Sequence, residues 1–97
     1  IIMDPPSYGR GPGGEMWKIE TELYSFVQLC SEVLSEDALF VLINSYTTGL
    51  QPTVLSNILT LTLKYRLGGR VDAYEVGLPT QEGIPLPCGA GGLYIHE

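Results

Sequence analysis

Residues 38–43 read Ala-Leu-Phe-Val-Leu-Ile, an unbroken apolar run that follows Asp37 and ends at Asn44-Ser45-Tyr46. The run is too short for a buried helix, and it suits a strand that is covered on both faces. Such fully covered strands are typical of parallel sheets with helices packed above and below. The stretch therefore predicts a covered strand of an α/β sheet.

Amphipathic helices are predicted on both sides of this strand. In the segment that starts at about Thr21, apolar residues recur three or four positions apart, with polar residues on the other side. These apolar residues are Leu23, Phe26, Val27, Cys30, Val33 and Leu34. The second helix is predicted to begin at Pro52, because proline is tolerated in the first turn of a helix, and to stop at Gly68-Gly69.

The start of the chain predicts a strand followed by a loop. Ile1 to Met3 is apolar and is ended by Pro5 and Pro6, which indicates the last residues of a buried strand. Because the chain opens inside this apolar run, we expect that upstream residues are missing. Ser7 to Gly14 contains four glycines and a proline, which predicts an irregular loop.

Two further strands are predicted near the end of the chain. Residues 70–77 alternate apolar with charged side chains, and residues 92–95 form a shorter apolar stretch after a connector rich in proline and glycine. These two strands could pair antiparallel. The predicted order is strand, loop, helix, strand, helix, strand, strand, which is typical of an α/β sheet with a terminal hairpin.

Composition limits the classes of function. With 97 residues, 44% of them apolar, the chain can bury one modest core. Its 5 Lys and Arg against 11 Asp and Glu give a net charge of −6, which repels a phosphate backbone, so the chain alone is a poor nucleic-acid binder. No apolar run approaches membrane-spanning length and the start is not a signal peptide, so we expect a soluble, cytoplasmic protein.

The cysteines and the histidine do not predict a metal or disulfide site. Cys30 lies in a helical pattern and Cys88 in a Pro-Cys-Gly sequence that predicts a turn. Their spacing fits neither a disulfide nor a metal site, so both are expected to be reduced. His96, the single histidine, has no ligand or nucleophile near it in sequence and is expected at the surface.

Two loops are the candidates for chemistry. In an open α/β sheet, ligands bind at the carboxyl ends of the strands, which places residues 4–14 and 44–49 on one rim. The sequence Asp-Pro-Pro-Ser-Tyr, which begins at Asp4, offers a carboxylate, exposed carbonyls and an aromatic face that could hold a flat ring. The alternative is that Asp4 caps a turn and the prolines only end a strand.

The glycine-rich stretch from Gly9 to Gly14 matches neither the P-loop nor the dinucleotide spacing, so it predicts a flap over a substrate. Arg10, its one cation, would either contact a phosphate or remain solvated. Trp17 is predicted to pack on the core rather than to stack on a base. Neither Ser7 nor Ser45 has a triad partner that would support a serine hydrolase.

Taken together, residues 1–18, 42–50 and 86–90 resemble a family of bacterial class I S-adenosylmethionine-dependent methyltransferases that is similar to the large-subunit ribosomal RNA methyltransferases. The resemblance covers nearly the whole chain in the right order, although the tail from Gly91 strays from the family. It implies that residues 1–97 are the C-terminal half of a Rossmann-like catalytic domain, beginning at its fourth strand. The N-terminal half, which binds most of the cofactor, would be absent, and this fragment alone would be inactive.

The resemblance also implies the site. The residues implied to be catalytic are Asp4, Pro5, Pro6 and Tyr8, of which Asp4 and Pro5 would also contact S-adenosylmethionine, while Ser7, Arg10, Asn44, Ser45 and Tyr46 would bind substrate. Relatives that methylate a pyrimidine carbon carry a cysteine near the fifth-strand loop, where this chain reads Asn-Ser-Tyr-Thr-Thr. The implied acceptor is therefore a nitrogen of an RNA base, and no metal is implied.

The resemblance also implies which partners the protein has. RNA would be bound through parts of the intact protein that are not present here, and the exposed edge of the first strand could form a homo-oligomer. Two alternatives stay open: a non-catalytic fragment or subunit that donates its sheet edge, and a methyltransferase that acts on a protein or a small molecule.

Overall fold

A computed structural model describes all residues, 1–97, as six strands and three α-helical segments. The strands are β1 (Ile2–Met3), β2 (Tyr8–Arg10), β3 (Met16–Lys18), β4 (Phe40–Ser45), β5 (Arg70–Leu78) and β6 (Leu86–Ile95). The helices are α1 (Ile19–Ser31), α2 (Pro52–Leu59) and the single turn α3 (Tyr65–Leu67), with a π-helical turn at Thr60–Lys64 between the last two. None of these helices has the length and apolar content needed to cross a membrane.

The main sheet has four strands in the order β1-β4-β6-β5. β1 pairs parallel with β4, in a register that sets Met3 opposite Ile43. β6 pairs antiparallel with both β4 and β5. The predicted α/β class and the antiparallel pairing of the last two strands are confirmed, and the last strand, β6, lies between β4 and β5.

The helices lie on one face of this sheet. Ile19, Leu23 and Val27, four residues apart, form the buried stripe of α1, and Leu55 and Leu59 form that of α2. These side chains pack against alternate residues of the sheet. The buried apolar side chains of the sheet are those of Met3, Val41, Ile43, Ala90 and Tyr94.

The opposite face carries no helix. We call it the open face, and its apolar residues are Ile2, Phe40, Leu42, Tyr74, Val76, Leu93 and Ile95, none of which belongs to the buried core cluster. The expectation that the strand at residues 38–43 is covered on both faces is therefore wrong for this chain. The strand also begins two residues later than predicted.

The ends of the chain depart from the predicted elements. β1 is an edge strand in which Met3 is buried but Ile2 is 68% exposed, so the strand is buried on one face only. The predicted loop at Ser7–Gly14 contains β2, which pairs antiparallel with β3 as a separate two-stranded ribbon. β6 begins at Leu86, so Cys88 lies in a strand and not in a turn.

The predicted helices are confirmed with shifted ends. α1 starts at Ile19, two residues before the prediction, and Val33 lies beyond its last turn and is exposed. The second helical segment begins at Pro52 and ends at Gly68, whose φ of 74° no β-branched or bulky residue adopts readily. Trp17 packs against the core cluster, as predicted.

Candidate active site

Two loops meet at one rim of the sheet. Because β1 and β4 are parallel, their carboxyl ends lie at the same edge, and Asp4 and Tyr46 follow those ends directly. The Ser7 and Thr47 hydroxyls, 40 residues apart in sequence, lie 2.6 Å from each other. The predicted meeting of these two loops is confirmed.

The loop at residues 4–7 is held from below by Trp17. The indole Nε1 donates a hydrogen bond of 2.6 Å to the carbonyl oxygen of Pro6. The amide of Ile19 donates to the carbonyl of Ser7 at 3.1 Å. The Trp17 ring packs edge-on against Phe26, with ring centroids 5.6 Å apart. Helix α1 and the residues that lead into it therefore fix the position of this loop.

Asp4 is free of the protein's own polar groups. Its residue is exposed, and no hydrogen bond or ion pair in the chain involves its carboxylate. The alternative role of Asp4 as a turn cap therefore has no hydrogen bond to support it. A carboxylate that the fold does not use is available to a ligand.

An apolar groove of about 450 Å³ begins beside Asp4. Pro5, Trp17, Phe26 and Cys30 contribute to its walls, and Ile1 to Met3 form the side next to the open edge of β1. One free carboxylate at the mouth of an apolar groove suits a flat ligand that carries hydrogen-bond donors or a positive charge.

Tyr8 and Arg10 stand on the ribbon formed by β2 and β3. Arg10 donates from Nε to the Tyr8 hydroxyl at 3.0 Å, and both residues are exposed. The turn of the ribbon is closed by Glu15, whose carboxylate accepts from the amide of Gly13 at 2.9 Å. The predicted flap is thus a hydrogen-bonded hairpin that presents an aromatic ring and a cation above the rim.

The three predicted substrate residues after β4 lie in three different environments. Ser45 is 1% exposed, and its hydroxyl accepts a hydrogen bond from the amide of Thr47 at 3.3 Å, so it supports the loop from inside. Asn44 is half-buried and alternates onto the open face of the sheet. Tyr46 is 55% exposed, and of the three it is the one freely exposed beside the rim.

Sequence reasoning did not single out Thr47 and placed Cys88 in a turn, whereas Cys30 lies in a helix as predicted. Thr47 joins the rim loops through Ser7, and a pair 40 residues apart gives no local sequence signal. Cys30 lines the groove beside Asp4, while Cys88 shares a second depression of about 340 Å³ with Tyr46 and Thr47. No three potential metal ligands lie together anywhere in the chain.

Comparison with known proteins bears on the fold. No protein-family model matches the chain, and no curated protein sequence matches it significantly. The crystal structure of an S-adenosylmethionine-dependent methyltransferase from Agrobacterium tumefaciens superposes on 99% of the chain with a TM-score of 0.84 and 24% sequence identity. The chain therefore shares the fold of the matching part of that structure. The chain spans 32% of the length of that enzyme.

Proposed function

We propose that this chain is the acceptor-facing C-terminal part of an S-adenosylmethionine-dependent methyltransferase. The observation that carries the proposal is the unused Asp4 carboxylate, which follows a parallel strand at the rim of a sheet with a methyltransferase-like fold. In open α/β sheets this is where ligands bind. The apolar groove beside Asp4 supplies the surface for a flat ring.

S-adenosylmethionine, when bound, supplies a methyl group activated by a positively charged sulfur. The residues that would contact it in this chain are Asp4 and Pro5, because a free carboxylate suits a cationic ligand and the groove walls at Trp17 and Phe26 suit its apolar parts. No strand of this chain enters a helix through a Gly-x-Gly turn of the dinucleotide type. Most contacts to the cofactor would therefore come from elsewhere in the intact protein.

The proposed acceptor is a nitrogen of an RNA base. Asp4 would accept a hydrogen bond from an N–H of the base and hold the reacting nitrogen in line, which is the main requirement of a displacement reaction. Tyr8 would stack on the base and Arg10 would contact a phosphate. The carbonyl of Pro6 is already bonded to Trp17, so Pro6 would act through the shape of the loop.

RNA affinity would come mainly from other parts of the intact protein, because a net charge of −6 opposes RNA binding by this chain. The enzyme that we propose is bacterial and cytoplasmic, and its substrate is an RNA similar to ribosomal RNA. A protein or small-molecule acceptor would use the same Asp4 contact, so the acceptor must be identified from the product.

The test is methyl transfer from labelled S-adenosylmethionine by the intact protein to total RNA from cells that lack it, with nucleoside analysis of the product. We expect Asp4→Ala to reduce turnover by about 10²-fold or more, since misplacing a reacting group is felt on that scale. Cofactor binding should change far less, because most contacts to the cofactor would lie elsewhere in the intact protein and the contact of Asp4 to the acceptor acts mainly in the transition state. The matched control is Asp37→Ala, which removes an exposed carboxylate from the turn before β4. Equal activity of the two variants would refute the role of Asp4.

The two thiols decide between a nitrogen and a carbon acceptor. Cys88 lies beside the rim, and Cys30 lines the groove that begins beside Asp4 but stands near the far end of α1, so each can be tested as a nucleophile. Cys30→Ser and Cys88→Ser should leave the methylated nucleoside unchanged, because a nitrogen acceptor needs no covalent intermediate. Recovery of a 5-methylpyrimidine, or complete loss of activity in a folded Cys88→Ser protein, would point to a cysteine mechanism instead.

A second candidate function is donation of the sheet edge to another chain. The observation that favours it is the outer side of β1, which has no neighbouring strand. In that case labelled methyl transfer would be absent, while a partner chain would protect the amides of β1 from hydrogen exchange.

A further inference from the structure

We propose that Trp17 is a positioning residue for Asp4. Its indole N–H holds the loop at residues 4–7, so that the Asp4 carboxylate stays in place for the methyl acceptor. This role rests on the methyltransferase function proposed above, and it goes beyond the packing that the sequence predicts for Trp17.

The loop is tethered two residues away from Asp4. Trp17 donates from Nε1 to the carbonyl oxygen of Pro6 at 2.6 Å. Of the hydrogen bonds that hold the loop after Asp4, this one lies nearest to Asp4 in sequence, since the other two involve Ser7. The Asp4 carboxylate has no polar partner in the chain, so its place depends on what holds the residues on either side.

The two prolines carry the effect of this tether to Asp4. A proline ring fixes its own φ, and the residue before a proline is confined to extended ψ values. Pro5 and Pro6 are such rings, and Asp4 and Pro5 each precede one, so few backbone torsions stay free between Asp4 and the Pro6 carbonyl. On the other side of Asp4, Met3 is paired with β4. Asp4 is thus held between the sheet and Trp17.

Trp17 is itself held by the core and by the ribbon of β2 and β3. The residue is half-buried, it packs against the core cluster, and its ring meets the edge of Phe26. On β3 it pairs with Gly9, the neighbour of Tyr8 on β2. The indole therefore sets the position of the loop that carries Asp4 relative to the ribbon that carries Tyr8.

Loss of the indole N–H should loosen the loop more than it weakens the fold. Pro6 is exposed, so water can replace the indole as the hydrogen-bond partner of its carbonyl, and such an exchange changes stability little. Water does not fix that carbonyl in one place, however. Turnover is sensitive to this loss, because misplacing a reacting group by about 1 Å can cost about 10²-fold.

A double-mutant cycle in the intact protein tests the role of Trp17. Methyl transfer, with both substrates saturating, is measured for the unchanged protein, Trp17→Phe, Asp4→Ala and the double variant. We expect Trp17→Phe to lower kcat about tenfold when Asp4 is present. In the Asp4→Ala background it should change kcat by less than about twofold, because no carboxylate is left to position. Losses of equal size in both backgrounds would overturn the proposal.

Two further variants separate the N–H group from the ring and from the start of α1. Benzothienylalanine at position 17 keeps the size of the ring and replaces the N–H by sulfur, so it should lower kcat as much as Trp17→Phe does. Full activity of that protein would assign the effect to the ring and overturn the proposal.

Thr21→Val is the matched control, since it removes a hydrogen bond of 3.2 Å to the carbonyl of Lys18 and no contact with the loop. It should leave kcat unchanged in both Asp4 backgrounds. A tenfold loss in Thr21→Val would mean that any change at the start of α1 lowers turnover, which would also overturn the proposal.

Hydrogen exchange separates failure of this role from failure of the proposed function. Trp17 is the single tryptophan, so the 97-residue chain gives one indole N–H signal in an NMR spectrum. We expect this N–H to exchange with water at least about tenfold more slowly than that of free tryptophan. Exchange at the free rate would refute the tether itself. A protected N–H with additive losses in the cycle would refute the positioning role alone, and a protected N–H in an intact protein that transfers no methyl group would refute the proposed function and this role with it.

Discussion

Tyr94 is the most buried large side chain of β6, with no exposed surface, and its hydroxyl has no hydrogen-bond partner. Burial raises the pKa of the Tyr94 hydroxyl above its ordinary value, and the positive charge of Arg66 opposes this shift only in part. A buried hydroxyl without a partner has lost its hydrogen bonds to water and gained none in the fold. Tyr94 thus contributes ring packing at the cost of an unsatisfied polar group.

We therefore expect Tyr94→Phe to raise the free energy of unfolding at pH 7 by about 1 kcal/mol. The unfolded chain loses the tyrosine proton near pH 10, before the folded chain does. The stability of the unchanged protein should accordingly fall as the pH rises above about 10, and the advantage of the variant should widen there. Urea unfolding at pH 7 and pH 10.5 measures both effects.

Tyr65→Phe is the control for this comparison, since Tyr65 is 75% exposed and its hydroxyl is hydrated in both states. The free energy of unfolding of that variant should match that of the unchanged protein at each pH. A Tyr94→Phe protein less stable than the unchanged chain would mean that the hydroxyl has a partner, such as a buried water.

Single residues of the site were predictable to the extent that their role is local. Asp4 and Tyr8 follow a strand end that is visible in the sequence, and both lie exposed at the rim. The inward position of Ser45 depends on the register of β4, where a shift of one residue exchanges the two faces. The contact between Ser7 and Thr47 depends on tertiary structure and could not be predicted from spacing.

At the scale of elements, β6 shows why sequence patterns failed at the end of the chain. Pro87 and three glycines argue against a long central strand. The structure accommodates Pro87 at an irregularity in the pairing of β5 with β6. Gly91 leaves room for the Tyr74 ring and Gly92 for α2, so these glycines reflect close packing rather than a turn.

Gly92 gives a test of how closely α2 lies on the sheet. A Cβ atom at this position would lie 2.9 Å from the Leu55 Cβ and 3.1 Å from a Leu59 methyl group. Gly92→Ala should therefore lower the free energy of unfolding by about 1–3 kcal/mol, the usual cost of overfilling a packed core. Thermal or urea unfolding measures the loss.

Gly9→Ala is the matched control, because a Cβ there meets no atom within 4 Å and the backbone does not need glycine. Alanine at this position should leave stability unchanged or raise it slightly by restricting the unfolded chain. If Gly92→Ala were equally harmless, α2 would have to sit farther from β6 than the structure places it.

The two amphipathic helices and the strand β4 were predictable because apolar periodicity and an unbroken apolar run are both local signals. The ribbon of β2 and β3 was not, since its strands have three residues each and its composition is that of a loop. Glu15 holds that turn through backbone amides, which no periodicity reveals.

At the scale of the whole molecule, the chain supplies only the rim loops and the groove beside Asp4 to the proposed cofactor site. We expect the isolated 97-residue chain to bind S-adenosylmethionine with a dissociation constant of about 1 mM or weaker. It lacks the Gly-x-Gly turn of the dinucleotide type and the carboxylate that binds the ribose, on which such folds rely. Isothermal titration calorimetry measures this directly. Micromolar binding would show that the groove beside Asp4 is a complete cofactor site.

The position of β6 between β4 and β5 also has a consequence for how this chain is made. A ribosome adds about 5–20 residues each second and releases the segment 86–95 after the other strands of the sheet, yet that segment joins the two earlier parts of the sheet. Until it emerges, β1 and β4 form one pair and β5 has no partner strand. A stop codon before residue 86 would therefore divide the sheet in two instead of shortening one end of it.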